Sequence, residues 1–165
     1  MNTAGRIITM EMALIKARKY CDKAERAHAD VRRKLVNWGV GFKDREHIIG
    51  VLISEDLLNE SRYASAFVND KFRFNKWGIA RIKSALKSKG VSDRNIADAL
   101  KRIDPRAYKL ELKELATKKL ASIKGDSKRV KSQKTAQYLI RRGYEPSLVW
   151  TILQMGTEDS DDIGC

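Results

Sequence analysis

The sequence predicts an all-α protein made of three tandem three-helix repeats in an elongated, curved array. Its main signal is a leucine followed four residues later by a glycine, which occurs three times and ends at Gly39, Gly90 and Gly143. Each glycine precedes an apolar residue and then a short stretch with apolar side chains at i, i+3 and i+4. A period of about 50 residues is typical of repeat arrays, which usually present extended binding surfaces. We therefore expect a binding protein.

Helical periodicity places the repeats at residues 1–53, 54–103 and 104–155. Residues 156–165 are polar and acidic, and they are predicted to form a disordered tail. The predicted helices are 10–23, 27–38 and 44–53 in the first repeat, 60–72, 79–89 and 93–103 in the second, and 106–123, 127–142 and 146–154 in the third.

The expected helix ends carry the residues that such positions favour. Ser92 is placed to cap the N-terminus of the helix that contains Asn95, because a hydroxyl can accept from an otherwise unpaired backbone amide. The three repeated glycines stand where a left-handed residue ends a helix. These signals support the helical boundaries independently of the apolar periodicity.

The charge balance predicts an anionic partner. The chain has 34 lysines and arginines against 21 acids, a net charge of +13. Such a balance suits nucleic acid, an acidic protein surface or anionic lipid. No apolar stretch approaches the ~20 residues that span a bilayer, and no secretory signal is recognised. With only Cys21 and Cys165, a disulfide framework is not favoured, so we expect a cytoplasmic protein that does not enter the membrane.

Three acid-free basic windows, residues 31–43, 71–92 and 127–144, each cover the second helix of a repeat. Their bases are of the kind that neutralises phosphates without reading sequence. A single window is most simply a solvated helix face, but recurrence at one repeat position favours a functional contact. The candidate binding residues are Arg32, Arg33, Arg73, Lys76, Arg81, Lys83, Lys87, Lys128, Arg129, Lys131, Lys134, Arg141 and Arg142.

Aromatic and basic residues alternate over residues 72–77. Phe72 is expected in the core, whereas Phe74 and Trp77 could either be buried or stack on bases of a single strand. On the following helix, Arg81, Lys83 and Lys87 lie off the apolar stripe and are expected to face solvent.

The chain shows no motif for catalysis, for a metal or for a cofactor. Its two histidines, His28 and His47, fall in different predicted helices, and no metalloprotease, phosphate-loop, dinucleotide or nucleophile-elbow motif occurs. His28 is expected to be exposed and Cys21 to be a small buried side chain. We therefore predict a protein without enzymatic activity.

The motifs at residues 57–68 and 78–91 resemble the RecX family, the bacterial regulators of the RecA recombinase. Weaker similarities at residues 30–35 and 138–144 extend the resemblance over about 13–153. Ala27 stands where the family often has a serine, so a side-chain cap is missing there. Ala85 stands where the family has an acidic residue, directly before Leu86 of the middle repeat.

The resemblance implies three-helix repeats that bind in the groove of the RecA–single-stranded-DNA filament. It further implies modulation, usually inhibition, of recombinase ATPase and strand exchange, in DNA recombination, repair and the SOS response. The expected partners are the filament and single-stranded DNA, with double-stranded DNA left open, and the protein is expected to be a monomer. A general helix-turn-helix DNA-binding protein is the alternative, and an enzyme is a third reading.

Overall fold

The computed structural model describes residues 8–158, and within that range the secondary structure is entirely helical, without a strand. Every predicted helix is present, so the all-α prediction is confirmed. The helices are α1 Met10–Asp22, α2 His28–Asn37, α3 Phe42–Ser54, α4 Glu60–Arg73, α5 Ile79–Ser88, α6 Asp93–Leu100, α7 Pro105–Ser122, α8 Lys128–Arg141 and α9 Pro146–Glu158.

Most helix ends agree with the sequence signals. Gly39, Gly90 and Gly143 have φ of +80°, +74° and +97°, as expected for left-handed residues that end helices. The Asn95 amide donates to Ser92 Oγ over 3.3 Å, which confirms the predicted cap. The N-cap of α2 is Ala27, which makes no side-chain cap bond.

Most boundaries fall within one residue of the prediction, although α3 begins at Phe42, two residues earlier than predicted. Two helices end three or more residues from the predicted position. Helix α6 stops at Leu100, and the Ile103 amide instead donates to the Leu100 carbonyl in a tight i to i+3 turn. Helix α9 continues to Glu158, so the first three residues of the predicted disordered tail are helical. The rest of that tail lies outside the described residues.

Spatial proximity divides the chain into two compact units rather than into three. The first unit contains the described chain up to Ala66 together with Leu86–Ile96, and the second contains Phe67–Ala85 and the chain from Ala97 onward. Both units include helices of the middle repeat. The three repeat boundaries and the elongated, curved shape of the array therefore remain predictions.

The core of the first unit is formed by α1, α2 and α3. Ala13, Ala17 and Cys21 lie at i, i+4 and i+8 on α1, and their small side chains line its buried stripe. Cys21 is a free, buried thiol, as predicted. This stripe packs in one cluster with larger residues, namely Val31, Leu35, Val40, Ile48, Ile49, Leu52 and Leu58.

The core of the second unit is centred on aromatic residues. The Tyr108 and Tyr144 rings are 5.1 Å apart, and Phe72 lies 5.9 Å from Tyr108. The buried residues of this unit include Ile82 of α5, Leu112 of α7, Leu139 of α8 and Val149 of α9. None of the described helices is both long and apolar enough to cross a bilayer.

Candidate nucleic-acid interface

Helix α5 separates an apolar face from a basic one. Ile82 and Leu86 are fully buried, while Arg81, Lys83 and Lys87 are exposed. The expectation that these three cations face solvent is confirmed. Lys87 Nζ lies 3.3 Å from a carboxylate oxygen of the exposed Asp93, a contact that is weak in water.

The connection between α4 and α5, residues 74–78, places a second group of candidates beside that face. Phe74 is 78% exposed and is not a core residue. Trp77 is half-buried, with the Arg81 guanidinium 4.0 Å from its ring centroid and Lys71 Nζ 5.1 Å away. Phe72 is half-buried and packs against Tyr108, as expected of a ring at the core. The two aromatic residues left open by the sequence therefore have different environments.

The α4–α5 connection is held against the turn that follows α8. The Gly78 amide donates to the Arg142 carbonyl over 2.7 Å, and the Ala80 amide donates to the Gly143 carbonyl over 3.0 Å. A Cβ on Gly78 would overlap the backbone of Gly143 and Tyr144. These two peptide segments are in van der Waals contact, and only glycine, which has no side chain, allows so close an approach at position 78.

Side chains of the third repeat bind the carbonyl groups of this connection. Arg142 donates from Nε to the Lys76 carbonyl over 3.3 Å and from Nη2 to the Asn75 carbonyl. The Tyr144 hydroxyl also donates to the Lys76 carbonyl, over 3.3 Å. Lys76 has φ of +57°, an uncommon conformation for a residue with a Cβ. Arg142 is thus placed as a structural clamp, and its guanidinium is already occupied.

Lys76 itself is tied to the body of the second unit. Its Nζ lies 2.9 Å from Oε2 of Glu111, whose side chain is only 17% exposed. Both Lys76 and Arg142 were candidate binding residues, and the structure gives both of them internal partners. Their main role in this structure is to hold the α4–α5 connection in its conformation.

Tyr108 is an internal link that the sequence did not indicate. Its hydroxyl donates to Glu145 Oε2 over 2.7 Å and accepts from the Ile79 amide over 3.0 Å. Burial raises the pKa of Tyr108 and of Tyr144 above the ordinary value, so both hydroxyls stay protonated as donors. The available sequence signal was the spacing of Tyr108, Leu112 and Ala116, which places the tyrosine on an apolar stripe of α7.

The candidate residues on α8 differ in their exposure and in their ion pairing. Lys134 Nζ pairs with Asp126 over 2.7 Å, and Lys131 is half-buried. Lys128, Arg129 and Arg141 are exposed. Arg141 and Arg142 are neighbours in sequence, yet one faces solvent and the other clamps the connection.

The candidates of the first repeat are engaged in ion pairs. Arg32 donates to both carboxylate oxygens of Glu46, at 3.0 and 3.2 Å, and this raises the pKa of Arg32 and lowers that of Glu46. Arg33 pairs with Asp30 over 2.7 Å. Asp30 also accepts from Lys89, 59 residues away, over 2.8 Å. The first repeat therefore offers less uncompensated positive charge than its sequence suggests.

Three candidate residues in the middle repeat have positive charges that no carboxylate of the described structure neutralises. Among the described residues, no carboxylate pairs with Arg73, Arg81 or Lys83, and all three are exposed. These residues, which we call the free cations, fall within 11 positions of sequence that contain no acid. An exposed group of cations without counter-charges attracts an anionic ligand.

His28 departs from the sequence expectation. It is half-buried rather than exposed, and its Nε2 is buried without a hydrogen-bond partner in the described structure. Glu60 acts electrostatically on it and accepts from Ser92 and Asn95. No group of three potential metal ligands occurs in the described part of the chain.

Models of the RecX family match most of the second and third repeats. The second three-helix domain of RecX matches residues 59–100, and the third matches residues 111–153. The regulatory protein RecX of Clostridium acetobutylicum is 29% identical over 143 residues, 84% of this chain and 66% of that protein. That of Leptothrix cholodnii is 27% identical over 147 residues, 88% of this chain and 90% of that protein.

A solved structure agrees with these relatives. The crystal structure of RecX from Lactobacillus salivarius matches with a TM-score of 0.80 and 27% identity, covering 88% of this chain and 95% of that one. This chain spans about two thirds of the C. acetobutylicum protein and about half of the RecX proteins of Clostridioides difficile and Lactococcus lactis. Because domain models, whole relatives and a solved structure agree along its length, this helical repeat protein belongs to the RecX family of regulatory proteins.

Proposed function

We propose that this protein binds the filament that the RecA recombinase forms on single-stranded DNA and modulates its ATPase and strand-exchange activities, with inhibition expected. The observation that carries the proposal is the position of the free cations Arg73, Arg81 and Lys83. Arg73 ends α4, and Arg81 and Lys83 lie in the first half of α5. All three belong to the repeat that the family's second-domain model matches.

The chemistry of this surface suits phosphate contact. Lysine and arginine on a solvent-facing helix neutralise phosphates and release counterions, whatever the base sequence. A regulator of a filament that forms on any sequence needs contacts of this kind. The proposal includes a monomeric protein acting in the cytoplasm without a catalytic step of its own.

The alternative is a general DNA-binding protein of helix-turn-helix type. Such a protein reads base edges with a set of residues such as Arg, Asn and Gln near the start of a recognition helix. The exposed face of α5 instead carries one arginine and two lysines without an amide side chain. This favours phosphate contact over base reading.

The deciding experiment measures ATP hydrolysis by preassembled recombinase filaments titrated with this protein. We expect the rate to change at protein concentrations well below those needed to coat the same DNA without recombinase. Parallel assays of the protein alone should detect neither ATPase nor nuclease activity. An effect that appears only when free DNA is saturated would indicate simple competition and would favour the helix-turn-helix alternative.

A further inference from the structure

Phe74 is more exposed than any other large apolar side chain assigned to the surface in the described structure, at 78%. It directly follows α4, and its amide still donates to the Asp70 carbonyl over 2.9 Å. Its backbone is therefore held in the last helical turn while its ring projects into solvent.

A preformed stack of cations and aromatic rings lies three residues further along. The Trp77 ring meets the Arg81 guanidinium at 4.0 Å and Lys71 Nζ at 5.1 Å, and it meets the Phe67 ring edge-on at 6.4 Å. Stacking on Trp77 restricts the rotamers of Arg81, so its charge is pre-positioned. Since cations approach the Trp77 ring, Phe74 is the ring of this segment left open to a ligand.

The segment around Phe74 is held in place and is positively charged. The carbonyls of Asn75 and Lys76 accept from Arg142, and that of Lys76 also accepts from Tyr144. Residues 71–92 contain no acid. The free cation Arg73 directly precedes Phe74 in the chain, and Arg81 follows on the next helix. An open aromatic ring on a fixed backbone in such a basic segment complements a ligand with both π-faces and negative charge.

We propose that Phe74 is a stacking platform for an unpaired base of single-stranded DNA, with Arg73 and Arg81 contacting the adjacent phosphates. This rests on the DNA contact within the proposed function and specifies which form of DNA the surface selects. In a duplex the faces of the bases are covered by their neighbours, whereas a single strand can offer them to a ring. The surface therefore prefers a single strand to a duplex.

Phe42 provides a matched control within the same chain. It is also a highly exposed phenylalanine, at 69%, with the Arg45 guanidinium 5.7 Å from its ring. However, whereas Asp70 is the single acid within four residues of Phe74, two acids, Asp44 and Glu46, lie within four residues of Phe42. These carboxylates repel phosphates, so Phe42 shares the exposure of Phe74 but lacks its electrostatic setting.

The test compares Phe74→Ala, Phe74→Leu, Phe74→Tyr and Phe42→Ala with the wild-type protein. Binding is measured to a single-stranded oligonucleotide, to an abasic strand of the same length and to the corresponding duplex, over a range of salt concentrations. Phe74→Ala should weaken single-strand binding by roughly 5- to 150-fold. Phe74→Leu should weaken it too, whereas Phe74→Tyr and Phe42→Ala should bind as the wild type does.

Two further readouts identify the stacking contact. Phe74→Ala should have no effect on abasic-strand binding, because no base remains to stack. It should also leave the salt slope unchanged, whereas Arg81→Ala should lower it by about 0.7 for a single strand. Equal losses on the intact and abasic strands, or wild-type binding by Phe74→Leu, would overturn the proposal.

The remaining outcomes separate this inference from the proposed function. If Phe74→Ala keeps full single-strand affinity but loses binding to DNA-free recombinase, the ring docks on protein and the stacking proposal is wrong. If the wild type leaves filament ATPase unchanged while the Phe74 variants behave as expected, the regulatory proposal fails and the stacking site stands. Unaltered single-strand binding by Phe74→Ala, with filament regulation intact, would reject the stacking site alone.

Discussion

The Gly78 amide donates a 2.7 Å hydrogen bond to the carbonyl oxygen of Arg142, and this bond joins two repeats at their backbones. A second bond, from the Ala80 amide to the Gly143 carbonyl, continues the contact. Amides at the start of α5 have no partner within their own helix, so the turn after α8 acts as their cap. Because these bonds hold the start of α5, they also fix the backbone position of Arg81.

Gly78→Ala should destabilise the protein. A Cβ there would overlap backbone atoms of Gly143, which cannot move aside as a flexible side chain would. We expect a loss of about 1–3 kcal/mol or more in the free energy of unfolding, measured by urea denaturation. Gly50→Ala is the control, because a Cβ at that helical position meets no atom within 4 Å, and alanine should be neutral or stabilising there. Equal stabilities for the two variants would contradict the close approach.

Arg142→Ala should affect stability, whereas Arg141→Ala should affect DNA binding. Removing Arg142 leaves the Asn75 and Lys76 carbonyls without its bonds and should cost about 1–3 kcal/mol of stability. Removing the exposed Arg141 should leave unfolding unchanged and weaken DNA binding. Denaturation and oligonucleotide binding of both variants check this. The clamp assignment would be wrong if Arg142→Ala unfolded like the wild type.

The triple variant Arg81→Ala, Lys83→Ala, Lys87→Ala should bind single-stranded DNA more weakly without losing its helical structure. All three side chains flank the apolar stripe of α5 and are exposed. Each lost phosphate contact should lower the salt slope by about 0.7, and Lys87 should contribute least because Asp93 competes for it.

The control for that variant is Arg18→Ala, Lys101→Ala, Lys113→Ala. It removes the same charge from positions outside the three basic windows. Arg18 and Lys101 are already paired, with Glu55 and Asp98. Affinity and salt slope should change less than in the α5 variant. Indistinguishable results would mean that overall charge, and not the α5 surface, attracts the DNA.

Stability should fall on acidification below about pH 6.5 because of His28. Burial, only partly opposed by Glu60, lowers the pKa of His28 below its ordinary value of 6.5. The unfolded chain then binds the proton at a higher pH than the folded one, so the loss of stability begins near pH 6.5 and is complete below the folded pKa. Urea denaturation at pH 7.5, 6.5 and 5.5 measures it.

His28→Asn is the matching variant, since asparagine does not titrate and should flatten the dependence in this range. The result that would contradict the interpretation is a wild-type protein that becomes more stable between pH 7.5 and 5.5. Pairing of the imidazolium with Glu60 would then outweigh the cost of burying its charge.

The helices and their faces could be predicted because they depend on local sequence. The stripe of Ile79, Ile82 and Leu86 follows the helical period, so burying Ile82 and Leu86 leaves Arg81 and Lys83 in solvent. The repeated glycines end helices because a left-handed turn excludes most other residues. The family similarity at residues 59–100 likewise depends on the order of residues alone.

The sequence by itself determined the all-helical repeat, most of the helix ends and the net charge. Only the tertiary structure decided which cations remain available, because counter-charges come from distant positions, as Lys89 and Asp30 show across 59 residues and Lys76 and Glu111 across 35. It also gave the adjacent residues Arg141 and Arg142 different surroundings, and left Phe74 exposed while Trp77 is covered by Arg81. Periodicity specifies the direction of a side chain from its own helix, but ion pairing and burial depend on which other segment packs against it.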